Sequence, residues 1–532
     1  MQRFQSWSLS SGCGCCVSRR RFLASCAACA AGAMTAATPA RRLWAAEPKM
    51  RLRLLYSLHG EVQQQPDWPN IGFDFRPVMQ KIEKMFKEAC PDVEFLPAMA
   101  NGPEAAKKII AQDQANPPDG YIVYQMNCWN RVVQTAVETG KPTLYLDFPF
   151  AGSGGFLVYT ASYIRQGKPN FAYMGSSNWE DHVAAVKCFE VLRKGGTVAD
   201  FVAAVAKVRQ ERTPPAGDMS CKPDEIKCLS PEETLRKLKE AKILAVGGGW
   251  GGPPFFKTIQ EQLGVPVLSI DFAELNEAYK QADMEQARQI ADGWAKSAAK
   301  IEDVSQETLV QSAAMYLAQK ALLKKHGANA ITINCLGGFY GGHLHAYPCM
   351  GFYTLNSQAL VDGLGLVGGC ECDVRSTLTM VVMTTMTQGR PGFISDPVLD
   401  SAKRQIIYAH CVAHNKAFGP NGPANPFQIL THSEDRKGAA VRSLLPEGYM
   451  TSTLELGPDR KEIVFHRAKS VGNDLEDRAC RTKLCGAPVG DFEKLRREWD
   501  RWGWHRVTFY GDLKEAVYAL ADRLGWKVIE EA

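Results

Sequence analysis

From residue 51 onward, apolar runs alternate with segments whose apolar positions recur every three to four residues. A run at 52–58 gives way to a helical period over 78–90 and then to a second run at 93–99. The period switches from near 2 to near 3.6 and back, which predicts strand, helix, strand. The series continues with helix at 103–112, strand at 120–126, helix at 131–138 and strand at 142–148. Such an order predicts a parallel sheet covered on both faces, because a parallel neighbour is reached only through a crossover. The glycine-rich Gly152-Ser153-Gly154-Gly155 is read as the end of this unit, and a second α/β unit is expected to open with a short strand at 171–175. Its clearest strands are 243–246, 267–271 and 330–334, with helices at 179–194, 231–240 and 255–262 and a long pair at 273–299 and 306–325. Residues 213–229, rich in Pro, Lys and Asp, read as a surface loop.

After about residue 396 prolines and glycines punctuate short apolar segments at 405–409, 452–456 and 462–466, the texture of a mostly β domain. The last forty residues return to helix (491–501), strand (506–510) and helix (512–524). The expected fold class is α/β: two parallel-sheet α/β domains at 47–168 and 169–397, the second carrying the acidic site residues, followed by a mostly β C-terminal domain at 398–532.

Residues 1–46 are set apart. Ser18-Arg19-Arg20-Arg21-Phe22-Leu23 resembles the core of twin-arginine export signals and precedes a weakly apolar stretch, 24–40, that is mostly alanine. This is too short and too mild for a bilayer helix of about 20 strongly apolar residues, and it fits a removable leader. The expectation is export to the periplasm or beyond, with cleavage near Ala46. Leu23-Ala24-Ser25-Cys26 also matches a lipobox, although almost no apolar segment precedes Cys26.

Removing the leader changes the charge. It holds six arginines and no acid, so the formal +5 of the whole chain becomes −1. Nothing in that balance draws nucleic acid or an anionic membrane, and neither nucleic-acid binding nor stable membrane insertion is expected. A mature chain of about 486 residues exceeds a single core and implies several domains. Of 17 cysteines, five lie in the leader and the rest are scattered without a repeating spacing, so no disulfide scaffold or zinc site is expected. Cys221/Cys228 and Cys480/Cys485 are close enough in sequence to form exposed disulfides late.

Gly247-Gly248-Gly249-Trp250-Gly251-Gly252 follows a strand but lacks a P-loop lysine and the dinucleotide spacing, so a tight strand-to-helix turn is the reading. His343 and His345 form an H-x-H pair on a glycine-rich loop, where exposure is commoner than ligation. The richest region is 335–414, where Cys370-Glu371-Cys372-Asp373 and Phe393-Ile394-Ser395-Asp396 set acids among apolar residues, followed by Ala409-His410-Cys411. A carboxylate in an apolar stretch is costly unless paired or bound to a cation. Glu371 and Asp396 are therefore the candidate functional acids; a buried pair capping backbone amides is the bland alternative. Asp373, expected on the same strand face as Glu371, is given a supporting role, and Cys370, Cys372 and Cys411 are read as buried packing thiols.

On these elements, together with a late Gly503-Trp504-His505-Arg506 ahead of Tyr510-Gly511-Asp512, the chain resembles the L-fucose and L-arabinose isomerase superfamily, in particular its L-fucose isomerase-like branch. The resemblance implies a divalent metal, manganese or magnesium, held by Glu371, Asp396 and His505, with no nucleotide cofactor. It also implies a monosaccharide substrate and a ring-like homo-oligomer. Where related sequences often carry two adjacent histidines, Arg506 follows His505 here, and His410 is kept as a fourth ligand or substrate contact. Glu371 and Asp396 are the expected catalytic acids of an aldose–ketose isomerase working through a cis-enediol on a sugar of the fucose or arabinose type. A non-catalytic exported sugar-binding protein of the same fold is the alternative.

Overall fold

The structure, a computed structural model, describes residues 48–532, so the expected leader lies outside the described residues. The strand Met50–Ser57 lies inside a five-stranded parallel sheet, between Val93–Ala100 and Gly120–Gln125 and followed outward by Thr143–Asp147 and Phe171–Met174. Gly120–Gln125 and Thr143–Asp147 are buried at every position. That is why both read as continuous apolar runs with little alternation: helices cover both faces of a parallel sheet. The core accordingly divides into two clusters, one around Leu54, Tyr124 and Leu146 and one around Leu55, Val123 and Tyr145. Phe171–Met174, expected to open the second unit, is the outermost strand of this first sheet.

A second parallel sheet has the order Val367–Gly369, Ala330–Ile333, Ile243–Val246, Val267–Ile270. The glycine-rich 247–252 stretch turns from Ile243–Val246 into the helix Gly252–Leu263, with Gly247, Gly248, Gly249, Gly251 and Gly252 at positive φ. The long helix expected at 273–299 is broken into Phe272–Lys280 and Met284–Ser297, because the Asp283 side chain accepts the backbone N–H groups of Glu285 and Gln286 and starts a new helix. Segment 213–229 is without regular structure, as its composition predicts.

The C-terminal region is antiparallel. Its order is Met450–Gly457, Arg506–Tyr510, Phe393–Asp400, Gln405–His410, Thr482–Pro488, Glu462–Asn473, and Met450–Gly457 pairs again with Glu462–Asn473, closing a six-stranded barrel. Closure removes the exposed strand edges. Lys527–Glu530 adds in parallel to Glu462–Asn473. Residues 491–501, expected to be helical, contain only the short 3-10 turn Lys494–Arg496, with Phe492, Leu495, Arg496 and Trp499 all buried. One continuous core runs from the second sheet into the barrel, from Val246 and Ile333 through Val374 and Val381 to Ile407 and Val507. The twelve described cysteines are all free, and Cys480 and Cys485 are buried rather than exposed.

Candidate metal centre

The site forms where the carboxyl ends of the second sheet meet the barrel rim, the place where open parallel sheets leave a crevice. The strand Val367–Gly369 runs into a turn at 370–373, not the longer strand expected there, and the helix Val374–Met386 follows. Glu371 and Cys372 both take left-handed backbone, φ 58° and 51°. Non-glycine residues adopt this rarely and at a cost of about 1–3 kcal/mol each, which the surrounding packing must hold. Asp373 caps the helix by accepting the Ser376 N–H at 3.0 Å. The strand Phe393–Asp400 carries Asp396 between its two neighbours. Asp396 pairs in register with Ala409, next to His410, and Ser395 pairs with Arg506, next to His505. Pairing alone thus carries three residues separated by 14 and 95 positions to one rim.

Glu371, Asp396, His410 and His505 each offer a ligand atom, all within 4.8 Å of one another. His505 Nε2 lies 3.2 Å from Asp396 Oδ1 and 3.6 Å from Glu371 Oε2, and His410 Nε2 lies 3.8 Å from Glu371 Oε1. Both Nε2 atoms are buried without a hydrogen-bond partner. Buried polar atoms are nearly always satisfied, so two orphans aimed at the same pair of carboxylates point to a ligand that completes them.

The other ring nitrogens distinguish the two histidines. His505 Nδ1 faces Asp373 Oδ2 at 2.9 Å and so carries the proton that the carboxylate accepts. Its Nε2 keeps the lone pair, the carboxylate–histidine arrangement that orients metal ligands. His410 Nδ1 instead accepts the Cys411 N–H at 3.0 Å, which places the proton of the neutral ring on Nε2. His505 is thereby disposed to bind a cation and His410 to donate a hydrogen bond.

Burial, with the nearby negative charge of Asp396, pushes Glu371 up to about 8. Asp396 goes the other way. Burial opposes its charge, but His505 and the Trp504 indole N–H hold it below the usual carboxylate range. Burial also opposes a proton on His505, yet Glu371, Asp373 and Asp396 raise it well above an ordinary histidine, whereas burial keeps His410 below. The carboxylates therefore favour positive charge beside them, carried by a second proton on His505 or, where Nε2 stays bare, by a cation. Two carboxylates and an imidazole are a donor set that can hold a divalent cation.

A cleft of about 470 Å³ opens onto Glu371 and Asp396. Its walls add residues that sequence reasoning missed: Asp67, Trp129, Trp250, Tyr340, Glu434 and Trp504. Trp129 and Trp250 are 46% and 54% exposed, at the mouth. Trp504 packs edge-on against Trp129 at 5.3 Å and donates to Asp396, tying the first α/β unit to the carboxylate. Gly154 allows that approach, since a Cβ there would meet Trp504 at 3.1 Å and Cys128 Sγ at 2.9 Å. His343 and His345 are elsewhere, stacked against Phe272 and near Tyr279.

No protein-family model matches the chain. The chain is similar to a protein named sulfoquinovose isomerase from Clostridium sp. (strain MSTE9), 26% identical over 309 residues, covering 55% of this chain and 65% of the relative. Proteins of the same name from Priestia aryabhattai and Priestia megaterium (strain ATCC 12872 / QMB1551) are 26% identical over 235 residues, 41% of this chain and 48% of each relative. The matches thus span less than two thirds of each relative's length. A solved carbohydrate transporter from Acidothermus cellulolyticus 11B aligns over 56% of this chain and 79% of its own at 12% identity and a TM-score of 0.18, too loose to bear on fold or function.

Proposed function

We propose that this protein is a metal-dependent aldose–ketose isomerase. The observation that carries the reading is His505, held through Nδ1 by Asp373 with its unpartnered Nε2 beside Glu371 and Asp396. The similarity to sulfoquinovose isomerases supports the same reaction class. Glu371, Asp396 and His505 would hold one divalent cation, manganese or magnesium. When bound, such an ion polarises the carbonyl and hydroxyl oxygens of an open-chain sugar.

The remaining work falls to the chain. Glu371 lines the cleft beside Asp396; ionised against the cation it would help to hold, it takes the proton from C2, leaving a cis-enediol, and gives it up at C1. One carboxylate can do both because the two carbons present the same face. Asp396, kept ionised, accepts from a substrate hydroxyl. His410 donates from Nε2 to the substrate oxygen that gains negative charge. Trp129, Trp250 and Trp504 offer flat apolar surface to a sugar ring and narrow the path for water.

The reading includes export under the twin-arginine leader and assembly as a homo-oligomer, which Arg19→Lys/Arg20→Lys retention and light scattering would check. The main test is C2-proton exchange in deuterated water by the manganese-loaded protein. Its panel holds sulfoquinovose and neutral aldoses of the fucose and arabinose type. Deuterium should enter C1 of the ketose product, and Glu371→Gln should abolish both exchange and metal retention. A metal-loaded protein that exchanges no aldose on the panel would end the isomerase reading.

A further inference from the structure

The cleft has a second pole that the isomerisation step leaves unused. Glu434 sits in the turn between the strands Phe427–Leu430 and Ala440–Ser443, only 9% exposed yet on the cleft wall. Its carbonyl accepts the Ile71 N–H at 2.7 Å, which fixes the turn against the loop that carries Asp67. Tyr340 Oη donates to Glu434 Oε2 at 2.7 Å. Oε1 has no protein partner among the described residues. If one oxygen of a carboxyl is committed as an acceptor, the acidic proton belongs on the other, here the oxygen left to the cleft. Asp67, across the same cleft, is itself fixed by His59 at 2.8 Å and by the Trp68 N–H at 2.7 Å. Burial first, and the charge of Asp67 among others, raise Glu434 to about 8, so the proton is present at neutral pH.

We infer that Glu434 is a general acid that opens the pyranose ring of an aldose, giving the protein a mutarotase activity separate from the Glu371–Asp396–His505 centre. The inference takes from the isomerase reading only that the ligand is an aldose. An aldose in water is almost entirely cyclic, and neither C2 nor the carbonyl can react until the ring opens. In the opening step the C1–O5 bond breaks and its electron pair passes to O5, which takes the proton from Glu434 Oε1. The O1–H proton leaves to solvent water, and its bonding pair completes the C1=O1 carbonyl. Rotation about C1–C2 and reclosure by the reverse transfers return the proton to Glu434 and yield the other anomer.

The experiment follows anomer interconversion of a freshly dissolved single anomer of an aldohexose by polarimetry, on the metal-stripped full chain. The wild type should accelerate mutarotation, and Glu434→Gln should lower that acceleration by about 100-fold, the usual span of a positioned acid. Tyr340→Phe keeps the carboxyl but frees its orientation, with a loss of roughly tenfold expected. This second variant keeps the inference falsifiable if Glu434→Gln folds poorly. With metal restored, Glu434→Gln should slow isomerisation of the cyclic hexose while sparing deuterium exchange on glyceraldehyde, which has no ring to open. Equal loss on both substrates, or unchanged mutarotation in Glu434→Gln, would overturn the role. Mutarotation by a wild type that isomerises nothing would uphold this inference and sink only the isomerase reading; a wild type without mutarotation sinks the inference whatever it isomerises.

Discussion

His505 and Arg506 are neighbours in the chain, both with side chains wholly out of solvent, and they stand in opposite situations. Arg506 is saturated. Its Nη2 and Nε reach both oxygens of Glu531, its Nη1 donates to the carbonyls of Gly503 and His505, and its guanidinium lies 4.4 Å over the Trp499 ring. Glu531 in turn meets His466 Nδ1 at 3.0 Å, and His466 Nε2 meets Tyr408 Oη at 2.7 Å. Around His505 the same density of charge is left one partner short, with Nε2 of His505 and of His410 both unsatisfied. Burial of charge therefore does not separate structure from function in this protein. For these two neighbours saturation does, because the unsatisfied Nε2 atoms of His505 and His410 face carboxylates that line a cleft, where a ligand can complete them.

The largest expected effect breaks the saturated side. Arg506→Met leaves Glu531 buried without its guanidinium partner and should cost about 3–5 kcal/mol of unfolding free energy, read by chemical denaturation. Metal binding by the protein that still folds should be unchanged. If instead the variant is as stable as the wild type, the closed network is not what locks the C-terminal strand.

Acid should reach the same network next. Burial works against the charge of Glu531, but Arg506 and His466 outweigh it and hold the carboxyl down at about 2. A depressed folded value means that this contribution, on the order of 3 kcal/mol, is fully present above the ordinary glutamate value near 4.5 and is lost as pH falls toward 2. Denaturation midpoints of wild type and Glu531→Gln should therefore converge across that window. Parallel curves would refute the assignment.

On the unsaturated side, Asp373→Asn should lower metal affinity by about 10–100-fold while leaving the melting temperature nearly unchanged. Asparagine caps the helix Val374–Met386 as well as aspartate does, so only the orientation of His505 is lost. His410→Ala should be the mildest toward metal, shifting affinity by less than about threefold while lowering turnover, because its Nε2 carries a proton rather than a lone pair. Calorimetric manganese titration of the two variants orders them. If His410→Ala lost metal more severely than Asp373→Asn, the tautomers assigned from their partners would be reversed.

Much of the frame was legible because local pattern and tertiary demand agree. The continuous apolar runs at 120–126 and 142–148 are strands buried on both faces, and the short segments after residue 396 are barrel strands. Glu371 and Asp396 stood out for the same reason, as acids in apolar surroundings that no solvated face explains. Asp67 and Glu434 gave no such signal. They lie in Gln63-Gln64-Gln65-Pro66-Asp67 and Thr431-His432-Ser433-Glu434-Asp435-Arg436, compositions that read as exposed loops, and the packing of one loop on the other buries Glu434 and half-buries Asp67. The 491–501 segment misled in the opposite direction, since its helical spacing produced only a 3-10 turn, with Leu495, Arg496 and Trp499 buried.

The sequence by itself determined the periodicities, hence the succession of parallel-sheet and mostly β regions, and the two acids whose position in apolar stretches required a partner. Only the tertiary structure decided which histidine faces that pair with a free lone pair, because the choice rests on what touches Nδ1: Asp373, 132 positions away, for His505, and a backbone N–H for His410. Period and composition are properties of neighbours along the chain. A proton's place on a ring is set by the field at one point in space, and that field exists only when strands distant in sequence have paired.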